Sequence, residues 1–104
     1  MPDVYHVIIT ERALAALQEI FNYIQHDSPQ NAAEVIERLL DEIDDLEFMP
    51  SRFKVVGRSR KHRSPIHART VKPFLVYYRI DEPRRAVFID DVRRGTRRPS
   101  RRFD

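Results

Sequence analysis

The sequence contains no cysteine and no tryptophan, and only two of its 104 residues are glycine. Without cysteine, the chain can form neither a disulfide framework nor a thiolate metal site. It also lacks an apolar run of roughly 18 residues, the length typical of a transmembrane helix. The Met-Pro-Asp start does not resemble a signal peptide. Together these absences predict a cytoplasmic protein without a membrane partner.

The amounts of apolar and charged residues are those of a folded protein. Hydrophobic residues make up 41% of the chain and recur in regular patterns, which predicts a folded rather than a disordered chain. At this length a single hydrophobic core is what the chain can build. We therefore expect one domain over residues 1–104.

The net charge of +3 hides a strong asymmetry along the chain. Residues 27–47 carry eight acidic side chains against one basic side chain, and residues 52–72 carry eight basic ones and no acidic one. Residues 93–104 add six arginines against one aspartate. We interpret the acidic run as a solvated helix face. The two basic segments predict a surface that meets a polyanion or an acidic partner.

The first half of the chain has the apolar spacing of a strand followed by two helices. A short strand is predicted from a run of β-branched and aromatic residues, Val4, Tyr5, Val7, Ile8 and Ile9. Apolar residues at steps of three and four then predict an amphipathic helix over residues 11–25, capped by Thr10. A second helix begins at Ser28-Pro29 and is predicted to end near Pro50. The short connection predicts an antiparallel helical hairpin.

The second half predicts strands on both sides of short polar turns. Residues 51–65 show no apolar period and much charge, so we expect a basic loop there. Three strands follow at residues 66–72, 74–81 and 86–92, and residues 96–104 form an arginine-rich tail. The order is β-α-α-β-β-β, which predicts an α+β domain with the helical hairpin packed on one face of a mainly antiparallel sheet.

Three segments carry a family resemblance. They are A-L-A-A-L-Q-E-I-F-N-Y-I-Q-H-D-S-P-Q-N-A-A (13–33), L-L-D-E-I-D-D-L-E-F-M-P (39–50) and K-P-F-L-V-Y-Y-R-I-D (72–81). In this order they resemble the toxins of the RelE/ParE superfamily, and the ParE branch most closely. The resemblance implies the toxin of a type II toxin–antitoxin pair, held inactive by a cognate antitoxin with an acidic, partly disordered C-terminal segment. We expect no cofactor and no metal.

The resemblance leaves two activities open, because RelE-like toxins cut messenger RNA on the ribosome and ParE-like toxins inhibit DNA gyrase. Leu75 stands where the family commonly has an arginine after the first aromatic residue of this strand, and Arg94 stands where many ParE-like members have a histidine. Phe103 lacks the hydroxyl of a terminal tyrosine found in some of the nucleases. These departures favour a gyrase inhibitor without a hydrolytic centre. The alternatives are a ribosome-dependent endoribonuclease and a non-toxic basic nucleic-acid-binding protein.

Basic and aromatic residues of the last strands are the candidate binding groups. Guanidinium groups bind phosphate oxygens in pairs, so we expect a phosphate-binding face made of Arg69, Lys72, Arg79, Arg93, Arg94 and Arg97. Tyr77 is interpreted either as a base-stacking ring or as a surface aromatic that shields the sheet. Tyr78 falls in register with apolar neighbours and is predicted to be core.

The histidines and a pair of aspartates complete the set of candidates. The four histidines show no zinc-binding spacing, and only His67, at the start of a strand near the basic loop, is kept as a possible acid–base group. Asp90 and Asp91 are adjacent in a predicted strand, so they should point to opposite faces. We expect one of them to pair with an arginine and the other to be solvated.

Overall fold

The computed structural model describes residues 4–95 as two helices and five strands. In chain order these elements are β1 (His6–Ile9), α1 (Glu11–Asp27), α2 (Pro29–Asp44), β2 (Val55–Ser59), β3 (Ser64–Val71), β4 (Phe74–Asp81) and β5 (Ala86–Arg94). Two short 3-10 turns, Asp45–Glu47 and Pro50–Arg52, connect α2 to β2. The predicted helical hairpin and α+β class are confirmed.

Both helices begin at the capping residues that the sequence predicts. The side chain of Thr10 accepts a hydrogen bond from the backbone N–H of Ala13 at 3.3 Å, and that of Ser28 accepts one from Asn31 at 3.3 Å. Pro29 occupies the first turn of α2, where its missing N–H leaves no hydrogen bond unmade. A single residue, Ser28, therefore ends α1 and starts α2, and this forces the two helices into a tight hairpin.

The strands form one mixed sheet in the order β1-β5-β4-β3-β2. Strand β1 runs parallel to β5 and pairs with it from His6↔Ala86 to Ile9↔Ile89, while the other neighbours are antiparallel. The register between β4 and β5 shifts between Tyr77 and Tyr78, which leaves Asp90 as an extra residue of β5. This β-bulge decides where the two adjacent aspartates point.

The main core lies between the helical hairpin and one face of the sheet. Leu17, Leu39 and Ile43 of the helices contact sheet residues such as Val76 and Tyr78, all of them buried. Tyr78 is fully buried, as predicted. A smaller cluster forms on the opposite face of the sheet, where Tyr77 and Ile66 pack with Val56, Ala68 and Leu75.

The segment predicted as a basic loop contains a strand, so that prediction is wrong. Residues Val55–Ser59 form β2, which pairs with β3 to make a hairpin at the edge of the sheet. An edge strand is hydrogen-bonded on one side only and needs no alternating buried residues; Val55 is 53% exposed. The second helix also ends earlier than predicted, at Asp44, and the 3-10 turns take the place of its last residues.

None of the helices within residues 4–95 is long and apolar enough to cross a membrane.

Candidate nucleic-acid and partner-binding surfaces

Arg69 of β3 faces the helical hairpin and is held there by two carboxylates. It forms ion pairs with Glu42 and with Asp45, the latter at 2.8 Å, and it donates to the backbone oxygen of Glu42 at 3.0 Å. Its guanidinium also lies 4.6 Å from the centre of the Phe53 ring. The hydrogen bond from Arg69 is the main cause that lowers the pKa of Asp45, followed in the same direction by the charges of Arg52 and Arg69 against an opposing effect of burial. Arg69 is thus occupied within the fold.

Arg79 and Arg93 are engaged in the same way on the other face of the sheet. Arg79 donates to both oxygens of Asp90, at 2.6 and 3.0 Å, and the two side chains are 12% and 14% exposed. Arg93 donates to Asp91 at 2.7 Å, and Arg12 of α1 lies 3.5 Å from the same carboxylate. Both aspartates are therefore paired, which corrects the prediction that one would be solvated.

Tyr77 does not offer a ring to a nucleic-acid base, because only 1% of the residue is exposed. The guanidinium of Arg93 lies 5.3 Å from the ring centre, and Ile66 packs against the ring within the smaller cluster. Burial raises the pKa of Tyr77 above its usual value; the nearby Arg93 opposes this shift and Asp91 adds to it. Of the two interpretations, the ring that shields the sheet fits this position, and the stacking role does not.

His67 is buried and contributes to packing rather than to an exposed acid–base site. It is 8% exposed, its Nδ1 lies 2.8 Å from the backbone oxygen of Phe53, and its ring stacks on Tyr78 at 5.2 Å. The Tyr78 hydroxyl donates to the backbone oxygen of Pro50 at 2.5 Å. Burial raises the pKa of Tyr78 to about 12, so the phenol stays protonated near neutral pH. The pair holds the second 3-10 turn against the sheet.

Lys72 and Arg94 remain exposed, at the end of the sheet where β5 leaves it. Gly95 donates a backbone hydrogen bond to Pro73 here, and a Cβ at this position would lie 2.8 Å from the Pro73 oxygen. Only glycine permits this contact without a shift of the backbone. The binding roles predicted for Lys72 and Arg94 stay predictions. Arg97 and the tail at 96–104 lie outside the described residues.

A second set of basic residues lies on the β2–β3 hairpin, which the sequence prediction treated as a loop. We call residues 54–63 the basic hairpin; it carries five exposed cations, Lys54, Arg58, Arg60, Lys61 and Arg63. In the sequence, this basic surface was indicated by the eight basic residues within 52–72. What sequence reasoning missed was that strand pairing presents these side chains on a fixed turn instead of a loose segment.

Two surface cavities lie beside these groups. One, of about 440 Å³, lies under the basic hairpin and is lined by Lys61, His62, Arg79, Phe88, Asp90 and residues 10–12. The other, also about 440 Å³, is a groove between α1 and the end of β5; its lining residues include Ile20, Tyr23, Ile24, Arg93 and Arg94. Beyond Ile89, no described strand pairs with the β1 side of β5, so the groove runs along an open strand edge.

Comparison with known proteins identifies the fold and the family. The family model described as the ParE toxin of the type II toxin–antitoxin system parDE matches residues 7–99. The chain belongs to the ParE toxin family. No curated protein sequence matches it at a significant level.

Solved structures of related systems show the same fold as this ParE family member. A chain from the chromosomal ParDE system of P. aeruginosa is 18% identical, with a TM-score of 0.69 over 90% of this chain and 99% of that one. A chain of the archaeal RelE–RelB complex from Pyrococcus horikoshii OT3 is 18% identical, with a TM-score of 0.63 over 90% and 98%. A chain of the RelBE2 toxin–antitoxin complex from Mycobacterium tuberculosis is 25% identical, with a TM-score of 0.56 over 88% and 91%. Structures of both the ParDE and the RelBE kind therefore share this architecture.

Proposed function

We propose that the protein is a cytoplasmic ParE-like toxin that inhibits DNA gyrase by binding and not by hydrolysis, and that a cognate antitoxin neutralises it. The proposal of inhibition without hydrolysis rests on one observation: the residues that a nuclease would need are already bonded within the fold or buried in it. RNA cleavage by attack of a 2′-hydroxyl requires a base, a cation near the phosphate oxygens and an acid for the leaving oxygen. Arg69 and Arg79 are bonded to carboxylates, and His67 is buried.

Two further features support binding over hydrolysis. Leu75 replaces an arginine that is common in the family, and Arg94 replaces a histidine that is found in many ParE-like members. An arginine stays protonated at ordinary pH and cannot exchange a proton as a histidine does. With Tyr78 protonated and in contact with Pro50, its phenol is also engaged within the fold.

The cavity under the basic hairpin favours a second candidate, ribosome-dependent cleavage of messenger RNA. It brings His62 near Lys61 and Arg79 on one surface, and a histidine with two cations is a combination that can cleave RNA. The cation of Arg79 is already bonded to Asp90, and for that reason we prefer the gyrase inhibitor.

The experiment that separates the two candidates measures both activities with the same purified protein. We expect inhibition of gyrase supercoiling or accumulation of cleaved DNA, with messenger RNA on translating ribosomes left intact. A His62→Ala variant should keep full inhibition of gyrase. Codon-positioned cuts in ribosome-bound messenger RNA that disappear in His62→Ala would contradict the proposal and assign the nuclease activity to this cavity.

For the antitoxin we propose the groove between α1 and β5 as one binding surface. Ile20 and Ile24 supply apolar contacts, Tyr23 is 72% exposed, and the exposed Arg94 supplies positive charge. An extended acidic segment with hydrophobic anchors complements such a groove, and it can add a strand to the open edge of β5.

The antitoxin groove is tested by the rates of complex formation. Arg94→Ala should slow association severalfold at low salt and leave dissociation nearly unchanged, because exposed charges act mainly on the encounter. Tyr23→Ala should leave association nearly unchanged and speed dissociation, because it removes an apolar contact from the complex. Association that is insensitive to both salt and Arg94→Ala would exclude electrostatic steering by this groove.

A further inference from the structure

The basic hairpin is a charged surface without acidic neighbours in the chain. Residues 48–80 contain no aspartate or glutamate, so each carboxylate that meets these cations comes from another part of the fold. Arg52 and Arg69 receive such carboxylates from the end of α2. Lys54, Arg58, Arg60, Lys61 and Arg63 are all exposed. The hairpin therefore concentrates positive charge on exposed side chains at one edge of the sheet.

The geometry of the hairpin turn is fixed by its own hydrogen bonds. Arg58 donates to the backbone oxygen of Arg63 at 3.1 Å, and the backbone of His62 donates to the hydroxyl of Ser59 at 3.1 Å. Ser59 is 1% exposed, which anchors the turn to the protein. Because the turn is held in one conformation, little conformational entropy is lost when its side chains bind a ligand.

The side chains that line the cavity beneath the hairpin show how cations and carboxylates are balanced there. Its lining carries three permanent cations, Arg12, Lys61 and Arg79, against two carboxylates, Glu11 and Asp90. Asp90 already accepts two hydrogen bonds from Arg79. Arg12 lies 3.5 Å from Asp91, so the charges around this cavity are close to balanced. The positive charge that the hairpin presents lies on its exposed side chains outside the cavity.

The kind of partner follows from what the hairpin offers besides charge. Single-stranded RNA is bound by stacking its bases on exposed aromatic rings, but Tyr77 is buried and a guanidinium lies over Phe88 at 5.0 Å. A disordered acidic peptide needs pockets for apolar anchors, whereas residues 60–63 at the tip are polar and exposed. The tip of the hairpin therefore suits contact with the phosphates of a rigid duplex better than it suits a peptide with apolar anchors.

We propose that the basic hairpin binds the phosphate backbone of double-stranded DNA. Paired strands lie about 4.8 Å apart, and a two-stranded β-ribbon fits the major groove of B-form DNA, which is about 12 Å wide. The major groove of duplex RNA is deep and narrow, so DNA is the better match. This contact does not depend on gyrase and can be measured in its absence.

The test measures binding of the full-length protein to a fluorescent 20-base-pair DNA duplex at salt concentrations from about 0.05 to 0.2 M. Each phosphate contact contributes about 0.9 to the slope of log affinity against log salt. Lys61→Gln should therefore lower the slope by about 0.9, and Arg60→Gln with Lys61→Gln by about 1.8. The double variant should bind roughly tenfold or more weakly near 0.1 M salt.

The matched control is Arg84→Gln, which removes one cation from an exposed side chain of the β4–β5 turn. It should leave the slope unchanged, and all variants should unfold at the same temperature as the wild type. The proposal fails if the duplex is not bound, if Arg84→Gln weakens binding as much as Lys61→Gln, or if the hairpin variants bind like the wild type. Equal or tighter binding of duplex RNA or single-stranded RNA of the same sequence would also overturn it.

Discussion

The strand arginines and the basic hairpin carry similar side chains but have opposite roles in the structure. Arg69 and Arg79 are 14% and 12% exposed and are bonded to carboxylates that the fold brings to them. The cations of the hairpin are exposed on a turn whose own chain segment contains no acid. The difference shows that an arginine's position in the sheet, and not its charge, decides whether it stabilises the fold or faces a partner.

Replacing Arg79 with methionine gives the strongest test of this difference. The change leaves the poorly exposed Asp90 without its two hydrogen bonds, and removing one partner of such a pair costs about 3 kcal/mol of unfolding free energy. Lys61→Met removes one cation from the basic hairpin and should change the free energy by less than about 0.5 kcal/mol. Urea denaturation of both variants measures the two effects.

A second substitution shows whether the Arg79 effect comes from the unpaired carboxylate. Adding Asp90→Asn to Arg79→Met should recover a large part of the lost stability, because a neutral amide is less costly to bury than an unpaired charge. If Arg79→Met proves as mild as Lys61→Met, then the strand arginines are free to bind a partner and the distinction between the two regions is wrong.

Arg69→Met should have a smaller effect than Arg79→Met. Glu42 and Asp45 are 37% and 45% exposed, so water can solvate them once the arginine is gone. The lost ion pairs and the lost contact with Phe53 should cost about 1–2 kcal/mol in total. A loss of less than about 0.5 kcal/mol in urea denaturation would show that Arg69 contributes as little to stability as we expect of the hairpin cations.

The sequence predicted the helices and the three long strands because their apolar residues follow regular periods. The search for apolar periods missed β2, because only two adjacent residues, Val55 and Val56, are apolar there before Gly57 and Arg58. An edge strand obtains its order from the neighbour to which it is hydrogen-bonded. The short apolar pair followed by a polar turn and a second strand was the available signal for a hairpin.

The candidate site was harder to predict than the fold, because the partners of its side chains are distant in the chain. Asp45 lies 24 residues before Arg69, and the acidic run that supplies it was interpreted as a solvated helix face. The bulge at Asp90 likewise overrides the alternation that a regular strand would give to two adjacent aspartates. Sequence spacing fixes neither a tertiary ion pair nor a bulge.

The smallest expected effect concerns Asp45 and the pH dependence of stability. Its hydrogen bond from Arg69, together with the charges of Arg52 and Arg69, holds its pKa below the usual 3.8 against the opposing effect of burial. The unfolded chain then binds a proton at Asp45 more readily than the folded chain does. The contribution of Asp45 is therefore fully present above the usual pKa and is lost as pH falls through the lower pKa of the folded protein.

Unfolding free energies measured from about pH 5 down to about pH 3 should reveal this contribution, since the usual pKa of an aspartate lies inside that range. Asp45→Asn should lose less stability over this interval than the wild type, because one carboxylate with a lowered pKa has been removed. Asp44→Asn, at the exposed neighbouring position, is the matched control and should follow the wild type. Lys61→Met should also follow the wild type if the basic hairpin is electrostatically independent of the α2 carboxylates. An identical pH profile for Asp45→Asn and the wild type would show that Arg69 is not held by this carboxylate in solution, and the strand arginines would then have to be reconsidered as ligands for phosphate.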